Sequence, residues 1–421
     1  MLREASAALR ERDFRLLFLG RTASLIGNAF APVALAFAVL DDLGGDATDL
    51  GLVLAAAWVP QIVFTLLGGI WADRLPRNLV MVSTDLAMFG AQAVVAALLL
   101  TGSAELWMLV ATQAVRGTAM AFFFPAAAGL VPQVVSNTRL QPANAVLRMS
   151  QSVSNILGAA SGGIVVAAAG AGWAIAFDAA TFLVSASFLV RIRLPRGLRT
   201  QAPNLVRELR EGWDEFRARE WLWVIVVAAM IGNLCAQGAI LVLGPVVADR
   251  ELGGAAAWGA IVAGTGVGLV LGGVISLRIR PSRPLFVAQV AILGCGPLFL
   301  ALAFALPLPL IVAAAVVSGT AIELFGVLWD TALQQHIPHD RLSRVSAWDQ
   351  LGSFVVIPIG LTVAGPLAEA IGVEEAILAF GALFVVAQGL AVLSRDVRTI
   401  RAAPTARPVL QAETRTETAA S

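Results

Sequence analysis

Lysine and tyrosine are absent from all 421 residues, and only two cysteines and two histidines occur. Cys235 and Cys295 lie in different apolar segments, which argues against a disulfide framework. All 29 basic residues are arginine, amid abundant alanine, glycine and valine. Lysine and tyrosine codons are AT-rich, while those of alanine, glycine and most arginines are GC-rich. A bacterial genome of high GC content is therefore expected. Charge is scarce too. Charged residues make up 14% of the chain and the formal net charge is +1, so no broad basic face is offered to nucleic acid. No GxxxxGK[ST] phosphate loop occurs, which argues against direct ATP drive. No Ser–His–Asp, metal or nucleophile cluster suggests an enzyme. His336 and His339 in "HIPHD" have no third ligand nearby, so no metal and no cofactor are expected.

Apolar runs fill the space these absences leave. Hydrophobic residues reach 58%, more than a soluble surface of this size tolerates. A bilayer core of about 30 Å takes roughly 20 apolar residues per helical span. Twelve such segments can be marked: Phe14–Leu40, Leu50–Ala72, Leu79–Leu100, Leu106–Leu130, Val146–Ala169, Gly172–Val190, Trp221–Val247, Ala255–Ile279, Leu285–Leu306, Leu310–Trp329, Ala347–Ala370 and Glu375–Leu393. The first lacks a small-residue cleavage site after a short apolar core and reads as a retained span. Connections alternate in charge. One set carries arginine, such as Arg74 and Arg77, Arg139 and Arg148, Arg278 to Arg283, and Arg341 and Arg344. The other is acidic or neutral: "DDLGGDATD", "TGSAE", "AGAG", "ALPLP", "IGVEE", with "ADREL" holding one arginine between acids. The positive-inside rule makes the first set cytoplasmic, with both termini. The expected location is a bacterial plasma (inner) membrane.

The fold class is thus all-α integral membrane, with twelve transmembrane helices in two pseudo-symmetric six-helix bundles. Residues 1–192 form the first bundle, 193–220 a cytoplasmic linker, 221–395 the second bundle and 396–421 a disordered tail. In the linker, "NLVRELREGWDEFRARE" spaces Leu205, Leu209, Trp213 and Phe216 as an amphipathic helix on the inner membrane surface. "RLQPANA" before span five echoes "RLSRVSA" before span eleven, which suggests duplication.

Between spans two and three, "GGIWADRLPRN" resembles the signature loop of the major facilitator superfamily, through Gly69, Asp73, Arg74 and Arg77. Pro76 stands in place of the second glycine and Asn78 in place of the last basic residue. "QAVRGTAMA" in span four resembles the family's arginine motif, with Arg116 as the buried arginine. "LGAASGG" in span five resembles its antiporter motif through Gly158, Gly162 and Gly163, with Ala159 where proline stands. "FDAATFLVSA" and residues 336–372 resemble the bacterial drug-efflux (drug:proton antiporter) branch, similar to macrolide and siderophore exporters. The resemblance implies alternating access between two six-helix halves. Spans one, four, seven and ten would line the cavity, and three, six, nine and twelve would support it. Two readings of the loop stand: Asp73 latches onto the start of span eleven with Arg77 beside it, or Arg74 and Arg77 simply hold the loop inside.

Charges inside a membrane are costly and mark functional sites. Asn28, Arg116, Asn233, Gln237 and Glu323 fall on lining spans and are the candidate cavity residues. Glu323, Asp178 and Asp85 are the candidate proton carriers. Asp178 and Asp85 sit on supporting spans, where a structural hydrogen-bond hub is the other reading; for Glu323 it is a salt bridge that never titrates. The expected activity is proton-coupled export of an amphipathic small molecule. An importer or uniporter, or a non-transporting sensor on the same scaffold, are the alternatives. The expected partners are the small-molecule substrate, protons and the bilayer, with the protein a monomer.

Overall fold

The computed structural model describes residues 9–136, 139–194 and 205–401; within helices, the side chains of residues 66–74, 141, 205–209, 211, 339, 340 and 343 fall outside the description. Twelve helices among the described residues are long and apolar enough to cross a membrane. The first six are α1 (Arg12–Asp42), α2 (Ala47–Arg74), α3 (Arg77–Leu100), α4 (Leu106–Val134), α5 (Leu140–Ala169) and α6 (Ala171–Leu189). The amphipathic linker helix is α7 (Leu205–Arg217). The second six are α8 (Glu220–Leu252), α9 (Ala255–Ser276), α10 (Pro284–Ala303), α11 (Leu308–His336), the pair α12 (His339–Phe354) and α13 (Ile357–Ile371), and α14 (Val373–Leu393). Helices are the open-chain solution in lipid, because each satisfies its own backbone polar groups.

Span ends differ from expectation in one systematic way. Span five begins at Leu140 rather than Val146, span ten runs on to His336, and span eleven starts at His339. All three gains lie at the arginine-rich end, where the added turns are polar and hydropathy stops counting them. Residues 396–399, expected in the disordered tail, are instead helical: Arg395–Thr399 form a short helix, α15, with Val397 buried in the core of the second bundle. Residues 402–421 lie outside the described residues.

The two bundles repeat each other in detail. Both α1 and α8 end in a wide π turn, Ala38–Asp42 and Ala248–Leu252. A single glycine joins α5 to α6 and another joins α13 to α14. Gly170 has φ 88° and ψ 164°, and Gly372 has φ 99° and ψ 153°. That region belongs almost solely to glycine, so these one-residue corners depend on it. Small residues let helices touch within each bundle. In "GTGVGLVLGG", Gly264, Gly268 and Gly272 lie four apart and face Val312, Val316 and Thr320 of α11. Span eleven departs from its counterpart: α5 is continuous over 30 residues, whereas span eleven breaks between Phe354 and Ile357.

The cores are segregated. At the end opposite the termini, one hydrophobic core runs through both bundles. It joins Val33 to Val39 of α1 and Leu50 of α2 with Leu243 of α8, Trp258 of α9 and Leu361 of α13. At the arginine-rich end each bundle has its own core, one around Phe14, Met88 and Phe182, the other around Trp221, Leu285 and Trp329. The halves therefore share apolar packing at the far end and keep separate cores at the arginine-rich end.

Candidate functional site

Two seams join the halves, both through far-end turns. The first pairs α5 with α9. A Cβ on Gly163 would lie 2.6 Å from the Ala255 carbonyl oxygen and 3.0 Å from Gly259 Cα, so the backbones meet without side chains between them. The second pairs α2 with α13. Gly51 lies against the Leu361 carbonyl, Gly365 lies against Thr48, and Thr48 Oγ1 donates to Glu369 Oε1 at 2.6 Å. The partners of α12, the other half of span eleven, are α7, α8 and α11. A gap thus opens between the bundles toward the arginine-rich end.

Helix α5 shows the character of one wall of that gap. Asn144, Arg148, Gln151 and Asn155 recur at i, i+4, i+7 and i+11 and are all exposed, which puts four polar groups on one stripe of a membrane-crossing helix. On the opposite flank Met149, Val153, Leu157 and Ile164 are 70%, 45%, 63% and 63% exposed. The apolar stripe suits a lipid-facing flank, and the polar one suits the gap between the bundles. Across the gap stands α11, with Glu323 half-buried and Asp330 and Gln334 exposed. Arg148 acts electrostatically on both Glu323 and Asp330. Glu323 packs over Gly272, whose missing side chain makes room for it.

The other expected cavity residues form a more deeply buried group in the first bundle. Arg116 Nη2 donates to Asn28 Oδ1 at 3.1 Å, and Asn28 Nδ2 donates to the Ser24 carbonyl at 2.9 Å. Asp178 is fully buried, accepts from Gln92 Nε2 at 2.6 Å and attracts Arg116. Arg116 Nε and Asp178 Oδ1 have no hydrogen-bond partner among the described residues. Gly27 allows this: a side chain there would collide with Thr181 and Asp178. The second bundle holds an uncharged counterpart. Gln289 Nε2 donates to Gln388 Oε1, and Gln388 Nε2 donates to the Ala228 carbonyl at 3.0 Å. The charge on Asp178 therefore goes with the presence of Arg116, which the second bundle lacks. Asp85 is sealed between α3 and α6 near Ser185, and neither of its oxygens is in hydrogen-bond geometry.

Asn233 and Gln237 lie on α8. Asn233 Nδ2 donates to the Ser353 carbonyl at 2.9 Å, a group at the break in span eleven. Gln237 opens a π-helical stretch, Gln237–Leu243, and its Oε1 is buried without a partner among the described residues. In the signature loop, the side chains of Gly69, Asp73 and Arg74 lie outside the described residues. Arg77 Nη1 donates to the Gly129 carbonyl, tying the start of α3 to α4. Of the antiporter-like glycines, Gly158 and Gly162 pack on Ala29 and Phe30 of α1, while Gly163 faces α9. His336 bonds to the carbonyls of Ala332 and Arg401.

At the arginine-rich end, α7 docks on α12. Trp213 stacks on Phe216 and meets Trp348 at 4.9 Å between ring centres. Glu215 bonds both Arg219 and Arg341. Burial works to raise the Glu215 pKa, but hydrogen bonds from Arg341 and Arg219 outweigh it and hold the carboxyl below its ordinary value.

Sequence reasoning missed the α5 stripe. It assigned Arg148 to a loop and the lining to spans one, four, seven and ten alone. The periodicity of Asn144, Arg148, Gln151 and Asn155 was the available signal.

The Major Facilitator Superfamily model matches residues 17–361. Macrolide efflux protein A of Streptococcus pyogenes is 23% identical over 380 residues, covering 88% of this chain and 93% of its own. Multidrug efflux pump Tap of Mycolicibacterium fortuitum is 26% identical over 378 residues, covering 86% and 91%. Among solved structures, the nucleoside transporter NupG superposes with TM-score 0.70 at 13% identity, over 90% of this chain and 98% of its own. A bacterial homologue of the iron transporter ferroportin in an inward-facing state gives TM-score 0.68 at 16% identity, over 90% and 98%.

Proposed function

Because the chain belongs to the Major Facilitator Superfamily, we propose that it exports amphipathic small molecules from a bacterial cell by proton-coupled alternating access. The arginine-rich end is the cytoplasmic end in this reading, as the positive-inside rule requires. The observation that carries it is the gap at that end, sealed at the far end by a shared core and lined by the polar stripe of α5 and the carboxylates of α11. A solute in the cytoplasm or inner leaflet can enter there. The efflux-pump relatives, matched over most of their length, support outward transport. Glu323 is the proposed proton carrier: it is half-exposed to the gap, whereas Asp178 is engaged with Gln92 and Arg116. Asp85 is sealed away from the gap. Asp73 remains the proposed latch to span eleven, in the opposite, outward-open state.

An importer or uniporter is the second reading. Ala159 leaves α5 continuous where the antiporter motif has proline. Uptake of a panel of amphipathic compounds into inverted membrane vesicles separates the two. Export predicts accumulation that rises with an inward-acid gradient. Accumulation only in right-side-out vesicles would favour import, and a gradient-independent rate would favour uniport.

A further inference from the structure

We propose that Arg148 closes the arginine-rich mouth, acting as the first bundle's positioning charge for Glu323 and Asp330 of the second bundle. Three independent observations lead to it. Arg148 belongs to the polar stripe of α5, so it faces the gap and not lipid. Both carboxylates that feel its charge stand on α11, across the gap and in the other bundle. No salt bridge joins Arg148 to either carboxylate while the mouth is open, among the described residues.

The geometry of the seam says what motion joins them. Helix α5 touches α9 at Gly163 and Gly259 and again where Ile156 meets Gly266. Arg148 lies two turns beyond that last contact, toward the mouth. Rocking the halves about the Ile156–Gly266 contact swings Arg148 inward at one end of α5 and parts Gly163 from Gly259 at the other. Closing the mouth therefore carries the guanidinium toward Asp330 and Glu323, while the far-end core parts. Arginine suits the role, since its planar fork can bond a carboxylate through two parallel N–H groups and is charged at all working pH values.

The role of Arg148 rests on the transporter reading for its purpose, but closure can be measured without any substrate. In protein lacking Cys235 and Cys295, Ala145→Cys and Gln334→Cys place thiols on the mouth turns of α5 and α11. Both positions are exposed. Their rate of oxidative cross-linking in nanodiscs counts closures, even rare ones. Arg148→Glu should slow it by about tenfold or more, the scale of a close charge pair. Arg148→Lys should keep most of the rate. The exchange Arg148→Glu with Asp330→Arg should restore it to within about twofold, which a merely structural role for Arg148 would not do. An unchanged rate in Arg148→Glu overturns the assignment, and so does an exchange variant as slow as Arg148→Glu alone. If cross-linking behaves as expected while vesicles show no efflux, the mouth closes as inferred and the exporter reading fails separately.

Discussion

Gly163→Ala should wedge open the far-end seam. The added methyl carbon would lie 2.6 Å from the Ala255 carbonyl oxygen and 3.0 Å from Gly259 Cα, all backbone of α9. Ordinary contact needs about 3.5–4.0 Å. Neither helix can yield by moving a side chain, so α5 and α9 must separate by several tenths of an ångström or more. Overpacking of this kind costs about 1–3 kcal/mol. The cost falls on the state in which the two backbones touch, so it is removed when the far end opens. The balance should shift toward the open far end by about 5–150-fold. Val247 reports it: it is 6% exposed and sits in the core shared by the halves. In protein without Cys235 and Cys295, a membrane-impermeant maleimide should label Val247→Cys faster by that factor once Gly163→Ala is added. Gly90→Ala is the control, because nothing lies within 4 Å of a side chain there. An unchanged labelling rate in protein that reaches the membrane normally would refute the reasoning, as would an equal acceleration in the control.

Glu323→Gln mimics a permanently neutral carrier. It should abolish efflux driven by a pH gradient yet retain substrate exchange at equal concentrations, and gradient-driven efflux that survives it would sink the carrier assignment. Glu215 has a depressed pKa in the folded protein, so its contribution to docking α7 is present above the ordinary glutamate range and lost as pH falls below it. Tryptophan emission from the Trp213–Trp348 contact should therefore change on acidification and in Glu215→Gln at neutral pH; an acid response of the same size in Glu215→Gln would assign it to another group. Gly170→Ala forces a side chain into a conformation reserved for glycine, which should cost about 1–3 kcal/mol and lower the melting temperature in detergent.

Much of the architecture was visible in the chain because membrane insertion is a local rule. Apolar length and arginine placement are properties of consecutive residues, so twelve spans could be marked without knowing what touches what. The mouth was harder for the same reason. Hydropathy starts span five at Val146 and leaves "QPANA" in the loop, with Arg148 counted among the loop charges, yet all these residues are turns of one helix. The hydrogen-bond hub read at Asp178 had no named partner, because Gln92 is 86 residues away and only the pairing of α3 with α6 unites them. The break in span eleven was masked by an unbroken apolar run, "FVVIPIGLTVAG", in which Pro358 serves as the start of a new helix rather than a kink.

The segregation of the cores gives the two ends different chemistry, and therefore different responses to conditions. The far end is shut by apolar packing, and such packing weakens on cooling. Closure of the mouth is charge against charge in a watery gap, and dissolved salt screens that attraction within about 10 Å at 0.1 M. Cold and salt thus push the same protein in opposite directions: cold loosens the far end, and salt holds the arginine-rich mouth open. Temperature and ionic strength together can then bias the protein toward either face without a ligand or a mutation.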